Sequence, residues 1–231
     1  MTGSVVTGHV LALGTPWDGV PALVLPALGQ TAEMVGIVMS IVVCLGGPLG
    51  LLIFNTSPRG LAPHPRVNAS VSWVANLGRS LPFLVLMATV IPFTQLVVGT
   101  TIGVQAAIIP MSIAGTAFFA RITENAVREV PPELLDVGVA SGASRWQIIR
   151  SIQLTEALPG LAAGLTLNII AMIEYSAIAG AIGAGGIGYL AVNDGYEQFD
   201  AHIMLACIGT LILIVQVIQF TGDRVVRYLL H

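Results

Sequence analysis

The chain has 231 residues, 55% of them hydrophobic and only 9% charged, with a formal net charge of −3. A soluble domain carries about 25% charged residues, and a mean hydropathy of +0.88 leaves too little polar surface to face water over this length. The composition excludes a soluble enzyme, suggests no nucleic-acid partner, and points to an all-α polytopic protein of the lipid bilayer.

In chain order, residues 1–30 have neither a basic n-region nor a convincing cleavage site, so they read as an N-terminal extracytoplasmic tail rather than a signal peptide. A transmembrane domain is expected over 31–231. Runs of about 20 apolar residues are membrane-crossing candidates. Five occur, at Met34–Phe54, Ser70–Ile91, Thr101–Phe119, Leu158–Ala181 and Ala201–Phe220. Gly46–Gly50 in the first and Gly160–Gly164 in the fourth have the spacing of close helix crossings, either inside one subunit or between two. The second run is interrupted by Asn76 and Arg79. Pro82, Pro92 and Pro110 lie in or beside spans and are expected to kink them. Cys44 and Cys207 fall within spans, as small buried hydrophobes.

Orientation follows from the arginines. All nine basic residues are Arg, and they lie in or beside the segments after the first, third and fifth spans. Retained positive charge marks the cytoplasmic side, which places the N-terminus outside and the C-terminus inside. The sequons at Asn55 and Asn68 then face the cytoplasm, where glycosylation is not available. Arg79 reads either as a snorkelling anchor at the inner end of its span or as a residue lining the inner mouth of a pathway.

Glu174 lies inside the fourth span, where an acid costs about 2.5–3.5 kcal/mol on insertion scales. Either its carboxyl is hydrogen-bonded to Asn168, Tyr175 or a neighbouring helix, or it lines a pathway together with Tyr175 and Ser176. The following link contains Gly183, Gly185 and Gly188 in a formal G-x-G-x-x-G. That fingerprint has meaning only after a strand in a βαβ unit; after a membrane helix it reads as a tight glycine turn.

Catalytic chemistry is missing. A P-loop needs a lysine on the phosphates, and the chain has none. There is no HExxH and no G-x-S-x-G, and His9, His64, His202 and His231 are too scattered for one metal site. No cofactor is expected in this chain.

The longest polar segment is the loop over 121–159. Pro131 and Pro132 followed by Glu133 suit a helix start, and Gly142 suits its end. Ser144 suits the cap of a second helix with Trp146, Ile149 and Ile152 on one face. Such an element outside the hydrocarbon wants a partner protein or an interfacial lipid bed.

This loop resembles the EAA loop of ABC-importer permeases. Asp136-Val137-Gly138 stand for E-A-A, Gly142-Ala143 for G-A, and Leu154-Thr155 for the closing L-P, with Thr155 departing from the proline. The stretches "GRSLPFLVLMATVIPFTQLVVGTTIGVQAAIIP", "FFARITENAVREVP", "YSAIAGAIGAGGIG" and "VIQFTGDRVVR" are similar to the methionine-importer permease subfamily over about residues 22–231. The resemblance implies a type I importer permease fold in a bacterial cytoplasmic (inner) membrane. It also implies two ABC ATPase subunits holding ATP and Mg, and an extracytoplasmic substrate-binding (lipo)protein. The segment 133–142 becomes the coupling helix, with Glu133, Leu134, Asp136, Val137, Gly138, Gly142, Ala143 and Arg145 at the ATPase contact. Glu174, Tyr175, Ser176 and Arg79 become pathway candidates. Five spans without an internal repeat imply a second copy of the chain around the pathway. Methionine is the expected amino-acid substrate, with another amino acid such as histidine as the alternative. An ATP-independent secondary transporter is the reading from a different class.

Overall fold

The computed structural model describes residues 14–230. Residues 1–13 of the expected tail, with His9, and also His231 lie outside them. Every regular element among the described residues is helical. Four helices are long and apolar enough to cross a membrane, or five if one bent pair is counted as a span.

Helix α1 runs over Val20–Thr56, so residues 20–30 are helix rather than tail. Its 37 residues measure about 55 Å at 1.5 Å per residue, well beyond a hydrocarbon core of about 30 Å. Hydropathy alone missed the first turns because Gln30, Thr31 and Glu33 interrupt the apolar run. Two of those polar residues hold a neighbouring turn. Gln30 Oε1 accepts from the Gly186 amide at 2.7 Å, and Thr31 Oγ1 from the Ile187 amide at 3.0 Å.

The expected second span, Ser70–Ile91, is not one continuous helix. It is two helices, α2 (Pro65–Ser80) and α3 (Phe83–Val98), bent by 110°. Pro82 forces the break: its ring pushes Leu81 out of the helical region, to φ −92° and ψ 134°. Pro92 and Pro110 sit inside α3 and α4 (Val104–Arg128) instead.

Helix α4 is the central post. Met111 packs with Met34, Val38 and Val42 of α1 and with Met172 of α7 (Leu154–Ala179). The two glycine pairs both serve crossings within this chain. Gly46 and Gly50 lie against Thr116, Phe119, Ala120 and Thr123 of α4, and Gly160 and Gly164 against Ala126 and Ile122. Cys207 is buried as expected, whereas Cys44 is exposed on the outer face of α1.

Polar side chains tie the helices together at one end. Glu124 is buried between Arg121 and Arg128. Arg121 also donates to the Ser72 carbonyl and Asn76 Oδ1 of α2, each at 2.8 Å. The polar residue that makes the second span untidy is thus the anchor of α2. Both sequon asparagines are engaged: Asn68 donates to the Ile53 carbonyl, and Asn55 forms a reciprocal amide pair with Gln153 at 2.9 and 3.0 Å. Gln153 is fully buried. Asn55→Ala strands its amide and is expected to cost about 1–3 kcal/mol. The thermal unfolding midpoint of the detergent-purified protein should fall; an unchanged midpoint would mean the pair contributes nothing net.

At the opposite end Asp200 caps α8 (Ala201–Leu229). Its carboxylate accepts from Thr15 N at 2.6 Å, His202 N at 3.0 Å and Ile203 N at 3.2 Å. Burial pushes its pKa up, but the hydrogen bonds from Thr15, Ile203 and His202 outweigh this and hold it below the ordinary 3.8. A depressed folded pKa contributes stability that is present above the ordinary carboxylate value and lost as pH falls through the lowered one. Asp200→Ala is expected to cost about 0.5–2 kcal/mol. Hydrogen exchange should quicken at the His202 and Ile203 amides in the mutant, and in the wild type only on acidification. Equal protection in both proteins at neutral pH would contradict the cap.

Candidate coupling face and membrane pathway

Of the expected 121–159 loop, residues 121–128 continue α4 and 154–159 open α7, so the segment outside the long helices is 129–153. Helix α5 covers Pro132–Ala140, with proline in its first turn and Glu133 beside it. Gly142 follows at φ +74°, a left-handed conformation that a β-branched residue resists. Around this corner the Gly142 amide donates to the Val139 carbonyl at 3.0 Å, and the Ala143 amide to Gly138 at 3.2 Å. Ser144 then opens the short helix α6 (Arg145–Ile148) with a full capping box to Gln147.

The expected Trp146, Ile149, Ile152 face does not form. A π-helical turn over Ile149–Gln153 joins α6 to α7. A turn closed at i→i+5 shifts the register by a residue. Ile148 is buried instead, and Trp146 is 66% exposed. Thr155, in the place of the motif's proline, donates its hydroxyl to the Arg150 carbonyl, five residues back.

Only Leu135 and Gly138 seat α5 on the rest of the chain. A Cβ on Gly138 would lie 2.9 Å from Ile152 Cδ1 and 3.1 Å from Ile148 Cγ1. The motif position is small because the α6–π-turn corner packs on it, a reason the sequence motif alone does not give. The other motif residues, Glu133, Leu134, Asp136, Val137, Gly142 and Arg145, are exposed, and Ala143 is half-buried. Val137 at 62% and Trp146 at 66% leave an apolar face with no partner among the described residues.

The four pathway candidates separate. Ser176 is buried and donates to the Ile173 carbonyl, so it belongs to the core of the chain. Arg79 and Tyr175 line one pocket of about 210 Å³ with Gly78, Leu81, Phe83, Ala114, Phe118 and Ala171. Tyr175 stacks on Phe83 at 4.3 Å, and the Arg79 guanidinium lies 5.8 Å from the Phe118 ring centre. Glu174 is exposed. Asn168, one of the partners expected for it, is engaged elsewhere: its amide donates to the Gly115 carbonyl at 3.2 Å. Larger hollows exist, such as one of about 480 Å³ between α1, α2 and α4, but it holds no titratable group. Among the described residues no cluster of His, Cys, Asp or Glu has the geometry of a metal site.

Residues 46–230 match the family described as the binding-protein-dependent transport system inner membrane component. The chain belongs to this family. It is a permease component of a transport system and not an enzyme. A probable D-methionine transport system permease protein MetI of Vibrio cholerae is 42% identical over 209 residues, 90% of this chain and 93% of that one. The D-methionine transport system permease protein MetI of Escherichia coli is 38% identical over 183 residues, 79% and 84% of the two chains. A solved chain of the MetNI methionine ABC transporter, in an inward-facing conformation, superposes with a TM-score of 0.87 at 38% identity, covering 90% of the permease and 96% of that chain. An amino acid ABC transporter crystallised with histidines gives 0.74 at 16% identity over 99% of this chain and 100% of that one, a likeness of fold alone.

Proposed function

We propose that two copies of this permease form the pathway of an ATP-driven importer for methionine, each copy docking one ABC ATPase through α5. The observation that carries the coupling is the construction of α5. Nine residues are held by only Leu135 and Gly138 while Leu134, Val137 and Val139 point away from the chain. A helix so placed transmits a push from a partner to the α6–α7 corner it rests on. ATP and Mg belong on the ATPase subunits, since this chain has no lysine for a P-loop. The methionine assignment is supported by the names of relatives at 38–42% identity.

In this reading the α5 end, where most of the arginines gather, faces the cytoplasm of a bacterial inner membrane. The glycine turn held by Gln30 and Thr31 faces outward, toward a substrate-binding protein. Co-expression with the cognate ATPase, followed by native mass measurement, tests the assembly. Two permease chains with two ATPases are expected. One permease chain per functional complex would overturn it.

A further inference from the structure

One polar contact sits where a push on α5 must pass. Helix α5 rests through Gly138 on Ile148 and Ile152 of the α6–α7 corner. The π-turn Ile149–Gln153 sets the register between α6 and α7. Ile148 thereby faces the apolar cluster of Phe54, Val127 and Leu135, while Gln153 faces α1. Gln153 is fully buried, and its partner is Asn55, the last but one residue of α1. The Asn55 amide donates to Gln153 Oε1 at 2.9 Å, and the Gln153 amide donates to Asn55 Oδ1 at 3.0 Å. Among the described residues, no other side-chain hydrogen bond joins residues 131–156 to the rest of the chain.

Beyond Asn55 the bonding continues into α2. The Asn55 carbonyl accepts from the Ala62 amide at 3.0 Å, and the Thr56 carbonyl from the His64 amide at 2.9 Å. Asn68, in the second turn of α2, donates to the Ile53 carbonyl at 2.6 Å and to Thr56 Oγ1 at 3.3 Å. Gly60 closes the turn where a Cβ would lie 2.3 Å from the Asn55 carbonyl oxygen. The last turn of α1, residues 57–64 and the start of α2 are therefore one bonded unit. Around the amide pair the contact is apolar, and apolar contact is non-directional. It lets surfaces slide. A reciprocal pair fixes one relative position, because sliding would strand two buried carboxamides.

We propose that Asn55 and Gln153 are positioning residues of the transport cycle. They make the α5-side ends of α1 and α2 move with the coupling corner when a docked ATPase pushes α5. The proposal rests on the importer reading above and deepens it, by naming the helices that follow the push and the contact that makes them follow.

Hydrogen exchange on the permease–ATPase complex in nanodiscs tests this, with and without a non-hydrolysable ATP analogue, alongside methionine uptake per ATP hydrolysed. In the wild type the analogue should change exchange both in α5 and at the Ala62 and His64 amides. In Gln153→Ala the α5 change should persist, while the change at Ala62 and His64 and the uptake per ATP each fall about fivefold. Asn55→Gln combined with Gln153→Asn keeps both carboxamides and their summed length, and should restore both signals. If Gln153→Ala is not recovered folded, Asn55→Ala breaks the same contact from the α1 side and is read in the same way. A pair that is merely structural lowers the unfolding midpoint but leaves the nucleotide response at Ala62 and His64 and the uptake per ATP intact. That result overturns the positioning role and leaves the importer reading standing. No nucleotide response in α5 of the wild type overturns the docking reading itself.

Discussion

Gly142→Val is expected to reduce ATP-driven uptake at least tenfold while all the membrane-crossing helices remain in place. The residue sits at φ +74°, and the space around it is open, with no atom within 4 Å of a built Cβ. The penalty is therefore backbone strain alone, about 1–2 kcal/mol for an ordinary L-residue and more for a β-branched one. That strain falls on the corner that sets α5 against α6, closed by the Ala143–Gly138 and Gly142–Val139 backbone bonds. A nine-residue helix with two buried residues has little else to hold its angle. The ATPase should co-purify poorly with the mutant. Gly142→Asn, which tolerates the left-handed region, should restore most of both signals. Normal uptake with a stably bound ATPase in Gly142→Val would remove α5 from the coupling path.

Gly50→Leu is expected to prevent recovery of a folded permease. A Cβ there would lie 2.3 Å from the Ala120 carbonyl oxygen and 2.5 Å from Thr123 Cβ. A backbone carbonyl in a packed helix does not swing aside, so α1 and α4 must separate along the crossing that Gly46 shares. Overpacking of this kind costs about 1–3 kcal/mol and more when backbone must move. Gly47→Leu, where the nearest heavy atom is Phe119 Cε1 at 3.9 Å, should be recovered normally. Equal, monodisperse yields of the two variants would mean that α1 and α4 do not cross here.

Much of this architecture is legible in the sequence because a bilayer allows few solutions. Apolar runs had to be helices, Pro131–Glu133 and Gly142 punctuate α5, and Ser144 caps α6. What escaped depends on contacts distant in sequence. The turns of α1 before Met34 hide behind Gln30 and Thr31, whose partners are the amides of Gly186 and Ile187. The π-turn at Ile149–Gln153 leaves a local pattern that still looks α-helical, so periodicity does not show that Ile148 is the residue this corner buries. Arg79 looks shallow when residues are counted along one straight span; the bend at Pro82 brings it level with Phe118 and Tyr175. Ser176 shares its neighbourhood in sequence with Glu174 but points into the core. Periodicity identifies faces, and only the packing of other helices says which face stays uncovered.

ATP-driven methionine uptake into proteoliposomes separates an ATPase-powered importer from a gradient-driven carrier. The permease should be reconstituted with its ATPase and binding protein, in parallel with vesicles holding the permease alone under imposed ion or proton gradients. Accumulation is expected only where ATPase, ATP and Mg are all present, reduced at least tenfold by Gly142→Val and mostly restored by Gly142→Asn. Accumulation by the permease alone, driven by a gradient, would contradict the ATPase-powered reading.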